Sequence, residues 1–431
     1  MQIPFIYGRP VRRGEFLGRK NELDTIFNRL RNGESSAVVG ESHIGKTSLL
    51  LQLMDRDVQN HYFGSSSNYF YSFIDLHIIS SDFNPKEFWK LAIEPLIEGQ
   101  QNLSIEQRVM DVIKDNYGQL SLEKLFKSLH QEHCQLILVL DEFDRLLHHP
   151  SFSDAIFFAQ LRSFSTRVGG LAFVTATRLS VAELDKRGRG LLDIGSPFFN
   201  SVIQLTLKPF SDQEMMTLLS KANNMLSSIE KKFIIRVSGR HPYLLQAMGA
   251  IMCECTGENR FINAAESFYD KVSFHFDDLW YSMDDKTRTT AIILSMVDFE
   301  GRVLGQEYSY GEIEKVDAFG PELKKLAIYG LAEKVGDGWQ LDRNSSLLWR
   351  GERWVLGSKA FSWWIRDVVI ADSRNFSSYT EWLNKKRYRL LLTQEMWDKV
   401  NQTISSMPGW AVKGISAMAK PILDELLNYG K

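Results

Sequence analysis

Apolar and polar positions follow two rhythms over the first two hundred residues. Between 21 and 31, Leu23, Ile26, Phe27 and Leu30 recur at the spacing of one helical face. SSAVV (35–39) is a short apolar run feeding a glycine-bearing loop, and 47–54 continues as a Leu-rich helix. NYFYSFIDL (68–76) has the aromatic and β-branched content of a strand. Helical patterns return at about 85–98, 104–115 and 121–131. QLILVL (135–140) is apolar on both faces, as the middle of a parallel sheet requires. A helix over 152–167 separates it from GLAFVTAT (170–177), and SVIQLTL (201–207) is a fifth strand candidate. Strands alternating with helices predict an α/β fold with a parallel sheet and right-handed crossovers.

After Pro209 the strand rhythm stops. SDQEMMTLLSKA opens with a Ser-x-x-Glu capping box at Ser211 and Glu214, and further helices are expected at 228–237, 242–254 and 259–274. A third unit begins near 277, with helices at 284–297, 310–317 and 321–330. LAEKV-GDG-WQL then reads as a hairpin turning at Asp337-Gly338, followed by a strand at 353–357 and a helix at 359–371. Three helices and a hairpin are the order of a winged helix. The expected division is an α/β domain at 1–209, whose chemistry is read below, a helical lid at 210–276, a winged helix at 277–372 and a helical tail at 373–431.

Composition excludes little but does narrow the setting. With 51 basic and 53 acidic residues the formal charge is −2, so no global field draws the chain to nucleic acid or anionic lipid. Cys134 and the Cys253, Cys255 pair read as reduced: neighbours two apart on a helix diverge, which suits neither a disulfide nor zinc. No secretory apolar region opens the sequence, and no run is long enough to span a bilayer, so a cytoplasmic protein without a transmembrane segment is expected.

The chemistry is concentrated in two stretches. Gly40-Glu41-Ser42-His43-Ile44-Gly45-Lys46-Thr47 fits G-x-x-x-x-G-K-[ST] at every fixed position, and Ser48 follows it into the helix. Gly40 and Gly45 let the backbone wrap so that its N–H groups converge on phosphate oxygens, aided by the positive end of the next helix. Lys46 would reach the β- and γ-phosphates, and Thr47 would ligate Mg2+. Asp141 and Glu142 end the apolar strand, where open α/β sheets bind ligands: Asp141 would hold Mg2+ and Glu142 would polarise the attacking water. Thr175 or Thr177 could orient that water, and Arg178 could reach the γ-phosphate; a solvated loop arginine is the plainer alternative. No arginine finger is assigned, Arg162 and Arg167 being the candidates.

In their order, FLGRKNEL, GESHIGKT, LILVLDEFD, FVTATR, SPFFN and SGRHPYLLQ resemble the STAND class of signalling ATPases. The likeness is greater to the bacterial and archaeal branch near the origin-recognition ATPases of the AAA+ group, and it covers roughly residues 3–370. It implies a P-loop NTPase sheet of order 5-1-4-3-2, with ATP or ADP and Mg2+ as cofactors. Phe16, Leu17, Gly18 and Arg19 would border the adenine. Gly239-Arg240-His241-Pro242 resembles the GxP motif of the lid, with Pro242 on the adenine and His241 near the phosphates; a plain helix break is the alternative. Arg178 would match the arginine that senses the γ-phosphate. Such proteins usually carry a long sensor array or a fused effector, whereas about 55 residues follow the winged helix here.

The expected function is a slowly hydrolysing ATPase switch that changes conformation or self-associates on exchange of ADP for ATP, with prokaryotic signalling or defence as the family setting. The alternative is a winged-helix AAA+ regulator that engages DNA through Lys324, Lys325 and Lys334, although Glu322, Glu333 and Asp337 dilute that charge. A scaffold locked by a permanently bound nucleotide is the third reading. In the tail, Trp382, Leu390, Leu391, Trp397 and Val400 could meet a protein partner beside the basic cluster Lys385, Lys386, Arg387 and Arg389. The segment 409–427 has helical spacing interrupted by Pro421. Packing on the winged helix, a homotypic module and a membrane-surface helix all remain open for it.

Overall fold

The computed structural model describes residues 3–64, 68–98, 103–152, 155–192, 201–297, 319–341, 347–370, 385 and 415–428. The chain divides into two compact units, Pro10–Leu207 and Lys208–Lys431, the second also holding Met1–Arg9.

The first unit is built on five parallel strands: β1 (Ser35–Val39), β2 (Tyr69–Asp75), β3 (Gln135–Asp141), β4 (Leu171–Thr177) and β5 (Val202–Thr206). Their order across the sheet is β2-β3-β4-β1-β5, which is the 5-1-4-3-2 arrangement read from the other edge. Around the sheet run α1 (Lys20–Arg31), α2 (Lys46–Leu53), α3 (Arg56–Phe63), α4 (Pro85–Glu98), α5 (Leu103–Lys114), α6 (Gln119–Gln131), α7 (Ala155–Ser163) and α8 (Val181–Leu192). The alternation of strand side chains explains why β3 has no polar face. Ile137 and Val139 join the core formed with Phe27, Leu30, Leu49 and Leu53, whereas Leu136, Leu138 and Leu140 join Trp89, Phe126 and Phe164. Each of these side chains is fully buried, a contribution of about 1.5–3 kcal/mol apiece.

Differences from the sequence reading have local causes. The helix expected over 152–167 is α7 followed by a π turn at Phe164–Val168. Behind it, Gly169 (φ 80°) and Gly170 (φ 74°) press the chain so close to α6 that a Cβ on Gly170 would lie 2.3 Å from the Phe126 carbonyl oxygen. The wider π turn takes up an extra residue before that approach. Helix α3 was not foreseen; its start is marked by Asp55, whose Oδ1 accepts the N–H groups of Asp57 and Val58. Residues 196–200, the SPFFN segment, lie outside the described residues.

The second unit comprises α9 (Asp212–Ser220), α10 (Ser228–Ser238), α11 (Pro242–Glu254), α12 (Arg260–Ser282), α13 (Asp285–Val297), α14 (Gly320–Ile328), β6 (Ala332–Leu341), β7 (Leu347–Leu356), α15 (Lys359–Trp364) and α16 (Ile415–Asn428). The capping box at Ser211 and Glu214 is formed, and a second one joins Ser227 to Glu230. Helix α12 runs eight residues beyond its expected end at 274, because Phe276, Leu279 and Trp280 extend the stripe begun by Phe268 and Val272. Strands β6 and β7 pair antiparallel with Gly336 opposite Glu352 and Gly338 opposite Arg350. Asp337-Gly338 is therefore inside a strand, not at the hairpin turn expected there.

The expected helix at 310–317 also lies outside the described residues, as do Lys386, Arg387, Arg389, Trp382, Leu390, Leu391, Trp397 and Val400. Helix α16 passes through Pro421 without a break and packs against α10 and α12, with Arg236 paired to Glu425 at 2.9 Å. Its place is thus on helices that the sequence reading assigned to the lid. Residues near the start also join this unit: the Ile6 N–H donates to Gln246 Oε1 at 3.0 Å, and Phe5 packs so tightly on α11 that Gly249 has no room for a Cβ.

Among the described residues no helix is long and apolar enough to cross a membrane. All three cysteines are free thiols, half-buried, and burial raises the pKa of each.

Candidate functional site

The sheet brings its functional residues to one edge because β1, β3 and β4 are parallel neighbours that end together. Val39 stands opposite Thr177, and Asp141 opposite Asp75. Beyond β1 the chain turns at Gly40, whose N–H donates to the Thr177 carbonyl at 3.2 Å. A Cβ on Gly40 would meet Ile44 Cγ2 at 2.8 Å and Leu207 Cβ at 3.3 Å, so only glycine lets the loop fold over itself there. Gly45 has open space around it and is required for conformation instead, at φ 103°. Gly40→Ala is expected to destabilise the first unit by about 1–3 kcal/mol through overpacking, read as a lower melting temperature. A melting temperature equal to that of the parent would contradict this geometry.

Lys46 starts α2 and is only 6% exposed. Its Nζ donates to the carbonyls of Gly40 and Glu41, both at 2.9 Å, and so ties the loop to the helix. Burial pushes its pKa below the usual lysine value; Glu142 pulls it back, Arg178 opposes, and Glu41 and Asp141 add smaller upward pulls. Thr47 Oγ1 donates to Asp141 Oδ2 at 2.7 Å, joining residues 94 positions apart. The other carboxylate oxygen of Asp141, which is 4% exposed, accepts the Glu142 N–H at 3.1 Å. Glu142 itself is half-buried and left-handed at φ 53°, a conformation that costs a non-glycine residue about 1–2 kcal/mol. The chain turns sharply there into a short 3₁₀ helix, Phe143–His148.

Arg178, exposed just beyond β4, is near enough for its charge to be felt at Lys46. Thr175 and Thr177 are both buried; the Thr177 hydroxyl accepts the Leu179 N–H at 3.2 Å. Ser48 Oγ accepts the Val11 N–H at 3.1 Å. Phe16, Leu17 and Gly18 are half-buried, and Phe16 packs on the core that α1 and α2 share. Arg19 is 5% exposed and donates to the Ile44 carbonyl at 3.3 Å, a contact that sequence reasoning did not foresee. Asp75 was also passed over; like Asp141 it ends a strand, but its Oδ1 accepts the His77 N–H at 2.8 Å. Arg162 is half-buried in the last turn of α7, and Arg167 is exposed in the π turn that follows.

His241 and Pro242 belong to the second unit and are buried, His241 completely. The His241 ring lies 5.1 Å from that of His275. The break at Gly239 (φ 70°) is enforced by crowding, since a Cβ there would come within 3.0 Å of the Gly357 backbone. Next to it, Arg240 pairs with Glu333 at 2.6 Å and Asp212 at 2.8 Å.

A glycine loop between a parallel strand and a helix, holding a lysine and a hydroxyl against a strand-terminal carboxylate, can cradle phosphate and a hard cation. A sequence model of the AAA-like domain matches residues 17–310, most of the chain and all of this constellation. The chain belongs to the AAA-like family. No curated protein matches it in sequence. Among solved structures, this AAA-like chain is similar to the Walker-type ATPase of Pyrococcus abyssi, at 15% identity and a TM-score of 0.49, covering 83% of this chain and 99% of that one. It is also similar to the ORC2 protein of Aeropyrum pernix in ADPNP–ADP complexes, at 14% identity and a TM-score of 0.47, with 85% and 97% covered. A third likeness is to Drosophila ORC bound to DNA, at 13% identity and a TM-score of 0.42, covering 83% and 88%. The AAA-like assignment rests on the family match, and the fold on the strand order of the sheet itself.

Proposed function

We propose that this chain is an ATP-binding switch of the STAND type, which hydrolyses ATP slowly and changes conformation or self-associates when ATP replaces ADP. The observation that carries the reading is the Thr47–Asp141 hydrogen bond of 2.7 Å together with the buried Lys46 that precedes Thr47 in the chain. These residues supply two oxygen donors and an ammonium at one place, where a triphosphate and its cation need them. Mg2+ fits this donor set, since hydroxyl and carboxylate oxygens are its preferred ligands; when bound it would neutralise phosphate charge.

The roles divide among the chain's own groups. Backbone N–H groups of the loop beyond Gly40, as far as Ser48, and the Lys46 ammonium bind phosphate oxygens; Thr47 and Asp141 hold the cation; Glu142 accepts the proton of the attacking water. Arg178 supplies positive charge at the γ-phosphate. Phe16, Leu17, Gly18, His241 and Pro242 stay in the proposal as the family-derived nucleotide contacts, each open to titration of ADP into its single variant.

DNA engagement has weaker support. Two lysines on the candidate winged helix are paired internally, Lys325 with Asp284 at 3.1 Å and Lys286 with Glu322 at 3.2 Å. Charges held in such pairs are less available to phosphates. A protein partner for the tail likewise remains part of the proposal without a named surface.

The deciding measurement is molecular size with ADP and with a non-hydrolysable ATP analogue. A larger or differently shaped species with the analogue is expected. Identical size and shape in both, with both nucleotides bound, would overturn the switch, because a ligand moves an equilibrium only through unequal affinity for its two states.

A further inference from the structure

We infer that Arg19 is a positioning residue for the phosphate loop, acting through the Ile44 carbonyl and not through the nucleotide base. The inference rests on the ATP-binding reading and adds a part to it. Arg19 has φ 61° immediately after Gly18 at φ 74°, so two consecutive left-handed residues turn the chain into α1. A non-glycine residue in that region is uncommon, and here it places a guanidinium inside the protein at 5% exposure. Nη2 donates to the Ile44 oxygen at 3.3 Å, and Nη1 is held by Glu22 Oε1 at 3.2 Å.

The consequence follows from peptide geometry. In a trans peptide the C=O of one residue and the N–H of the next point in opposite directions within one rigid plane. A guanidinium that captures the Ile44 oxygen therefore aims the Gly45 N–H the other way. Gly45 needs this external hold more than most residues, because glycine at φ 103° has wide backbone freedom and no side chain to anchor it. The Ile44 side chain, fully buried against Gly40, anchors the same plane from its other end. Arg19 thus sets one donor of the cradle before any anion arrives, which lowers the ordering cost of binding.

The test is calorimetric titration of ADP, GDP and a non-hydrolysable ATP analogue into the full chain and three variants. Arg19→Gln is expected to weaken ADP and the analogue about tenfold, as for loss of a charge-assisted hydrogen bond, with an unchanged ADP-to-GDP preference. Arg19→Lys should recover part of the loss, since an ammonium can still donate to the carbonyl. Glu22→Gln, at a position 20% exposed, should weaken ADP in the same sense by a smaller factor and reports on the brace even if Arg19→Gln folds poorly. Unchanged ADP affinity in Arg19→Gln or in Glu22→Gln would overturn the inference. So would a collapsed ADP-to-GDP preference, the mark of a base contact, or a Lys variant no better than Gln. A parent chain that binds neither ADP nor the analogue would instead defeat the ATP reading itself.

Discussion

Lys46→Ala is expected to lower affinity for ADP and for a non-hydrolysable ATP analogue by about 100-fold or more, which corresponds to ~3 kcal/mol of lost charge-assisted hydrogen bonding. The ammonium is 6% exposed and donates to two carbonyls of its own loop, so it is already positioned before any phosphate arrives. Its protonation is opposed by burial and by Arg178, and supported by Glu142, Glu41 and Asp141. Stability should change much less. Truncation strands the Gly40 and Glu41 acceptors, at about 1–3 kcal/mol, but also removes a charge from a buried place, and the two effects oppose each other. Lys46→Met separates charge from bulk: it fills the same space without donors and should bind nucleotide as poorly as the Ala variant. Calorimetric affinity within threefold of the parent in either variant would remove Lys46 from the phosphate site.

The sheet was legible because its central strands are apolar on both faces. QLILVL can belong only in the middle of a covered sheet, and β3 occupies that place between β2 and β4. The P-loop was legible for a different reason: its residue types stand at fixed spacing, and the two glycines among them answer to the loop's own conformation, Gly40 through contact and Gly45 through φ.

What escaped the sequence reading depends on partners distant in the chain. Nothing near Arg19 announces that its guanidinium meets Ile44, 25 residues on. Phe5 and Ile6 sit in an irregular, basic stretch, and only the folded chain shows that they pack on α11. The hairpin turn was misplaced because Asp-Gly is a strong local turn signal, whereas the register of β6 against β7 carries that dipeptide within the ladder. Pro421 was read as an interruption for a similar local reason, yet α16 tolerates it, held by the surfaces of α10 and α12. Local signals thus identified conformation well wherever the chain's own sterics decide it, and poorly wherever tertiary contacts do.

Glu142→Gln should separate binding from hydrolysis. The side chain keeps its size and its place at the turn after β3, and the backbone bond from its N–H to Asp141 Oδ1 is untouched. Glutamine is no better suited than glutamate to φ 53°, so the strain at this position is conserved and the melting temperature should stay close to that of the parent. What disappears is a carboxylate able to accept a proton, and general-base contributions of this kind are typically worth about 100-fold to 10,000-fold in rate. ATP turnover should therefore fall by at least ~100-fold while ATP affinity stays within a few-fold. Glu142 is also the strongest charge holding Lys46 protonated, which is why a modest loss of affinity is expected rather than none. If the switch reading is correct, the variant traps whichever assembly ATP favours, and size measurements with ATP itself should match those of the parent with the non-hydrolysable analogue. Parent-like turnover in Glu142→Gln would remove Glu142 from the water-activating role.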